Sequence, residues 1–179
     1  MIKKSFILKE NIKGKEIPDF LTTVDVTLDD KNISFVYNCK NSQLFSACEG
    51  YNTDLFNGDV CETFICTSGD ISTYYEIEVA PNNSVYLARV YNPKLNKNIQ
   101  STYVEENFLD TSVQFNGNDY TVRLSVPLDK IGYDKEKGIL LNIFRIETEG
   151  GITDKNILAA NPTRCKTFHK PKYFFKLED

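Results

Sequence analysis

The chain has 179 residues, 41% of them hydrophobic and 26% charged, with only 9 Gly and 6 Pro. That composition builds one globular domain spanning residues 1–179 and excludes a disordered, collagen-like or low-complexity chain. The formal charge of −4 gives no basic excess, so neither nucleic acid nor an anionic membrane surface is an expected partner. No apolar run approaches the ~20 residues that cross a bilayer.

In chain order, the start Met1-Ile2-Lys3-Lys4-Ser5-Phe6-Ile7-Leu8 has the basic lead-in of a secretory signal, but its apolar run is ended at once by Lys9 and Glu10. The expectation is a cytoplasmic protein, or a secreted one if a leader has been removed. Asp29-Asp30-Lys31-Asn32 reads as a turn, and Ile33, Phe35, Tyr37 and Cys39 then alternate with Ser34, Val36 and Asn38. Such a period of two marks a half-buried strand. Turn signals at Thr67-Ser68-Gly69-Asp70 and Pro81-Asn82-Asn83-Ser84 flank a second alternating run, Tyr75, Ile77 and Val79 against Glu76 and Glu78. Residues 92–102 are polar and aperiodic and read as a long loop. Asn116-Gly117-Asn118-Asp119 is a hairpin signal before the alternation of Tyr120, Val122, Leu124 and Val126. Leu128 to Gly132 could make one helical turn after Pro127, with Gly132 as its C-cap. Leu140 to Ile146 is apolar on both sides except at Asn142 and Arg145, as a central strand would be. About ten strands joined by short turns predict an all-β fold: a two-sheet antiparallel β-sandwich with immunoglobulin-like or jelly-roll packing and little helix.

Catalytic constellations are scarce. The five cysteines (Cys39, Cys48, Cys61, Cys66 and Cys165) are odd in number, irregularly spaced and without a CxxC, so they read as reduced thiols. His169 is the one histidine and has no HExxH, so it reads as a structural or surface residue. There is no GxSxG elbow, P-loop or GxGxxG. Glu76 and Glu78 share one strand face, and glycosidases do use paired carboxylates, but solvated strand faces carry acids far more often. An Arg in an apolar row needs a carboxylate or a ligand. Arg145 is expected to pair with Glu147 or another acid.

Several segments taken together resemble a known family. Asp59-Val60-Cys61-Glu62-Thr63-Phe64-Ile65 and Tyr74-Tyr75-Glu76-Ile77-Glu78-Val79-Ala80-Pro81 resemble successive strands of the family 9 carbohydrate-binding modules. Tyr120 to Pro127 is similar to the family strand that ends in Ile-Pro or Val-Pro. Asn142-Ile143-Phe144-Arg145-Ile146-Glu147 is similar to its Asn-Phe-x-Arg-Ile-Glu strand. Asn161-Pro162-Thr163 and Phe168-His169-Lys170-Pro171-Lys172-Tyr173-Phe174 resemble its closing elements, so the likeness runs over roughly residues 15 to 177. It implies a β-sandwich without catalysis or cofactor that recognises a small saccharide, a terminal sugar or a short oligosaccharide.

Binding members hold the sugar between two aromatic side chains, with an acid and an Arg on its hydroxyls. By position, Glu62 matches the binding acid, Arg89 the Arg and Phe56 the first aromatic wall. The second wall falls at Ala160 or Asn161, and Tyr91 is among the aromatics that could replace it. As the floor of a wet site, Glu62 is expected to contribute little to stability. The chain departs from the pattern in having no Trp. A structural or interaction sandwich that has lost the sugar site is the alternative. A haem-binding relative using Met and His is disfavoured, because Met1 is the only Met. Loop acids could hold a structural calcium, although no DxDxDG loop is present.

Overall fold

The computed structural model describes residues 1–40, 43–151 and 155–178. In chain order the strands are β1 (Ile2–Leu8), β2 (Glu10–Asn11), β3 (Thr22–Leu28), β4 (Asn32–Cys39), β5 (Val60–Cys66), β6 (Thr73–Val79) and β7 (Val85–Tyr91). They continue as β8 (Gln100–Tyr103), β9 (Asp110–Asn116), β10 (Asp119–Pro127), β11 (Leu140–Glu147), β12 (Asn156–Ala159) and β13 (Phe175–Lys176). The small sheet runs β1-β3-β4-β10-β9 and the large one β2-β12-β11-β5-β6-β7-β8, with β13 paired beside β12 on the same edge of β11. Every strand pairing in both sheets is antiparallel.

The alternating runs become the strands for the reason their period suggests. Val24, Val26, Phe35, Tyr37, Val122 and Leu124 from the small sheet pack against Ile65, Ile77, Leu87, Leu141 and Ile143 from the large one. Leu140–Glu147 is central, lying between β5 and β12. Three local readings shift. The hairpin between β9 and β10 closes on Gly117 and Asn118, with Gly117 at φ +62°, so the glycine takes the position that needs positive φ. The segment read as a loop over 92–102 ends in β8, an exposed edge strand that pairs with β7 and has no apolar alternation to announce it. Leu128 to Gly132 forms turns rather than a helix.

The central strands β5, β6 and β11 of the large sheet are buried on both faces, and all seven residues of β5 are buried. The outer face of that sheet carries two further apolar clusters. One is built on Phe64, Tyr74, Val90 and Phe144, with Phe168 and Phe174 packed on it. The other is built on Leu55, Val60, Tyr86, Ala88 and Ile146. The chain around Leu55 and the stretch from Ile157 to Phe174 therefore lie over this sheet, which is why its strands read apolar on both sides.

Between the sheets sits Arg145, fully buried and salt-bridged to Glu147 at 2.6 Å, as its sequence position suggested. Its other donors reach Phe20 O, Thr22 Oγ1 and Lys40 O at 3.1, 3.0 and 2.6 Å. The guanidinium also lies over the rings of Phe20 and Tyr120. Beside it the thiols of Cys39 on β4 and Cys61 on β5 meet at 3.5 Å, and all five cysteines are free. One side chain thus ties β11 to β3 and to the end of β4. Arg145→Leu strands the Glu147 carboxylate and three acceptors, so it should cost about 3–5 kcal/mol in urea unfolding. A loss below about 1 kcal/mol would show that the pair does not hold the sheets together.

Candidate functional site on the outer face of the large sheet

Strand parity decides what this face carries. On β5, Val60, Glu62 and Phe64 point outward. The ladder sets Glu62 directly opposite Glu78 of β6 and Phe64 opposite Glu76. On the far side of β6, Glu78 faces Tyr86 and Glu76 faces Ala88. Three carboxyls are thus brought together, and Glu62, Glu76 and Glu78 are only 0%, 6% and 1% exposed. One oxygen from each lies within 4.8 Å of the others, an all-oxygen set of the kind hard cations use. Like charges directly opposed across a ladder are destabilising. With the three acids ionised, no donor among the described residues reaches either oxygen of Glu62 or Oε2 of Glu78; once one carboxyl of the Glu62–Glu76 pair is protonated, the two hydrogen-bond each other.

The surroundings explain the electrostatics. Burial, and then the neighbouring carboxylates of Glu78 and Glu76, push the Glu62 carboxyl well above the usual range. Burial and the adjacent Glu76 do the same to Glu78, and burial pushes Glu76 up to about 7. Among the described residues the single cation acting on the group is Lys155. It attracts Glu78 and Glu62, lies 5.4 Å over the ring of Phe56, and donates to Phe56 O. On the other flank His169 stacks on Phe64 and Phe168 at ring distances of 5.0 and 4.7 Å. Its Nδ1 is 2.9 Å from the Tyr74 hydroxyl, and its Nε2 is 3.8 Å from Glu76 Oε1. Burial holds His169 neutral, with its pKa lowered to about 4. Tyr86 is buried above Glu78 and meets the exposed Tyr103 edge to face at 5.6 Å.

The residues singled out in the sequence fall into three places. Glu62 lies in the acid cluster and Phe56, 40% exposed on the 3-10 turn Leu55–Asn57, reaches it through Lys155. Arg89 and Tyr91 are not with them. Arg89 pairs across the ladders with Tyr75 and Thr102, which puts it on the opposite face of the sheet from Glu62, so a floor made of Glu62 and Arg89 is ruled out by parity. Arg89 donates from Nε to the Tyr75 hydroxyl at 3.0 Å and, with Tyr91, lines a cleft of about 610 Å³ at the β6–β7–β8 edge. Asn161 is held in the framework: it donates to Tyr173 O and exchanges hydrogen bonds with Asn142. Glu62 is not the water-exposed acid that the sequence suggested, because Val60, Phe64 and the packed loops bury it.

Sequence reasoning missed Lys155 and His169 as members of this face. They come from distant loops, and no period points to them. Glu78 was legible, since pairing two strands of known parity sets it opposite Glu62.

No family model matches the chain. A fungal protein of Arthroderma benhamiae, described as an extracellular protein, is 29% identical over 171 residues, 87% of this chain and 77% of its own length. A candidate carbohydrate-binding protein from Bacteroides uniformis superposes with TM-score 0.76 at 14% identity, over 96% of this chain and 84% of that one. Two structures of a family 9 carbohydrate-binding module from Caldicellulosiruptor kristjanssonii align with it. The glucose complex has TM-score 0.69 at 14% identity, covering 98% of this chain and 84% of that one. The cellotriose complex has TM-score 0.67 at 12% identity, covering 96% and 79%. The fold is that of a family 9-like carbohydrate-binding module.

In this family 9-like fold the acid cluster makes stability depend on pH. A folded-state carboxyl whose pKa is raised binds protons that the unfolded chain releases, so stability falls as pH rises. Glu76, raised from 4.5 to about 7, acts between those values, and Glu62 and Glu78 extend the effect upward. His169 opposes it below its ordinary value of 6.5, because only the unfolded chain then takes up a proton. In a chelating buffer the melting temperature should rise as pH is lowered from about 8 to about 6.5, and the rise should shrink in the Glu62→Gln/Glu78→Gln variant, where Glu76 and Glu147, both raised to about 7, still titrate in that window. A flat or falling wild-type profile in that window would contradict the burial of three acids.

Proposed function

We propose that the protein is a non-catalytic carbohydrate-binding module that takes a terminal sugar or short oligosaccharide on the outer face of its large sheet, over Glu62, Glu76 and Glu78. The observation that carries this reading is the set of buried carboxylate oxygens on Glu62 and Glu78 that no donor reaches. Sugar hydroxyls are donors, and a desolvated acceptor left without one is costly. Exposed Phe56 and Tyr103 offer ring surface for the apolar C–H face of a sugar. The fold likeness to modules solved with glucose and with cellotriose supports the same reading. The absence of Trp and of a second stacking wall near Asn161 argues for modest affinity.

Calorimetry against glucose, xylose, cellotriose and xylo-oligosaccharides should give dissociation constants between about 10 μM and 1 mM. Glu62→Gln should weaken binding by about 1–3 kcal/mol, as an acceptor that matched a hydroxyl is lost. The absence of heat and of chemical-shift change at millimolar sugar would favour a sandwich that keeps the fold for protein interaction.

A further inference from the structure

We propose that Glu62, Glu76 and Glu78 together hold one divalent cation of the oxygen-preferring calcium or manganese class, and that its remaining coordination positions meet sugar hydroxyls. This second part rests on the carbohydrate reading; the cation site itself does not.

Geometry, charge and unmet valence each favour this. Oxygens on one hard cation lie about 2.3–2.6 Å from it, so two ligands on opposite sides are at most about 4.6–5.2 Å apart. The three Glu oxygens already lie within 4.8 Å of one another, so one ion can touch all three with little movement. The β5–β6 ladder fixes two of the three side chains as direct cross-strand partners. The buried Glu62 carboxylate is aimed into this cluster with no donor on either oxygen, and Glu78 Oε2 is likewise unmatched. With the three carboxyls ionised, as a bound cation would hold them, they and the Lys155 ammonium sum to two negative charges, the amount one divalent ion neutralises.

The flank of the site is arranged to keep one ligand in place. Asn92 donates to the Tyr74 hydroxyl at 3.5 Å, and that hydroxyl lies 2.9 Å from His169 Nδ1. His169 Nε2 lies 3.8 Å from Glu76 Oε1, in contact but beyond hydrogen-bond length. A small closing of that gap on cation binding would make the neutral imidazole an outer partner of Glu76, a common feature of metal sites.

The test uses the full chain after chelator stripping, titrated with calcium by calorimetry and with manganese followed by its paramagnetic resonance signal. One equivalent should bind, and Glu62→Gln and Glu78→Gln should each weaken uptake by at least about tenfold. Each removes a buried charge, so the variants should fold, as a circular dichroism spectrum checks. No saturable uptake up to about 5 mM of either ion would overturn the proposal. So would uptake unaltered in both variants.

Cellotriose is then titrated with calcium and, separately, with EDTA. Sugar binding that needs calcium supports the full proposal. Equal sugar binding in EDTA overturns the cation's part and leaves the carbohydrate reading standing. A bound cation with no sugar binding in either buffer overturns the carbohydrate reading and leaves the cation site.

Discussion

Glu62 and Glu78 face each other directly across the β5–β6 ladder, and neither is open to water. Opposed like charges inside a sheet work against the fold, so this pairing persists only because the register that creates it is fixed elsewhere. Ile65, Ile77 and Val79 fill the inter-sheet core, and a slip of one residue would send all of them outward. The core therefore dictates that the acids meet. What the site does follows from that constraint: a group of acceptors held close, dried by neighbouring loops and short of donors.

Two buried charge systems, one on each side of β5, show what satisfaction looks like. Arg145 has an acid, a hydroxyl and two carbonyls within reach of its terminal nitrogens, and its Nε alone lacks an acceptor among the described residues. The outer group has three carboxyls and one half-buried lysine that reaches them only through space. A protein core tolerates the first arrangement as structure. The second is a reservoir of unmet interaction, and unmet buried groups cluster where ligands bind.

Much of the fold was legible in the sequence because alternation with a period of two is a direct readout of which side chains enter a sandwich core. The runs at 33–39, 75–79 and 120–126 all became strands, although the Glu76–Glu78 face of the second, read as solvated, is buried. β8 was not legible, since an edge strand exposed on every residue has no pattern. The site was half legible. Glu62 lies in the cluster, but Arg89 was assigned to it from chain position alone, and its odd number in the β7 row already placed it with Leu87 on the other face. Lys155 and His169 enter from loops, where position is set by three-dimensional packing that no local pattern encodes. Phe64, against which His169 stacks, could at most have suggested that some ring covers that strand.

The most direct measurement is chemical-shift mapping of cellotriose on protein labelled to report aromatic, carboxyl and lysine side chains. The account predicts that the ligand moves the signals of Phe56, Tyr103, Lys155 and the Glu62 and Glu78 carboxyls, while the Arg89 guanidinium and Tyr91 ring on the opposite side stay in place. Shifts confined to Arg89, Tyr91 and Gln100, with the three glutamates unmoved, would contradict it and place recognition in the edge cleft instead.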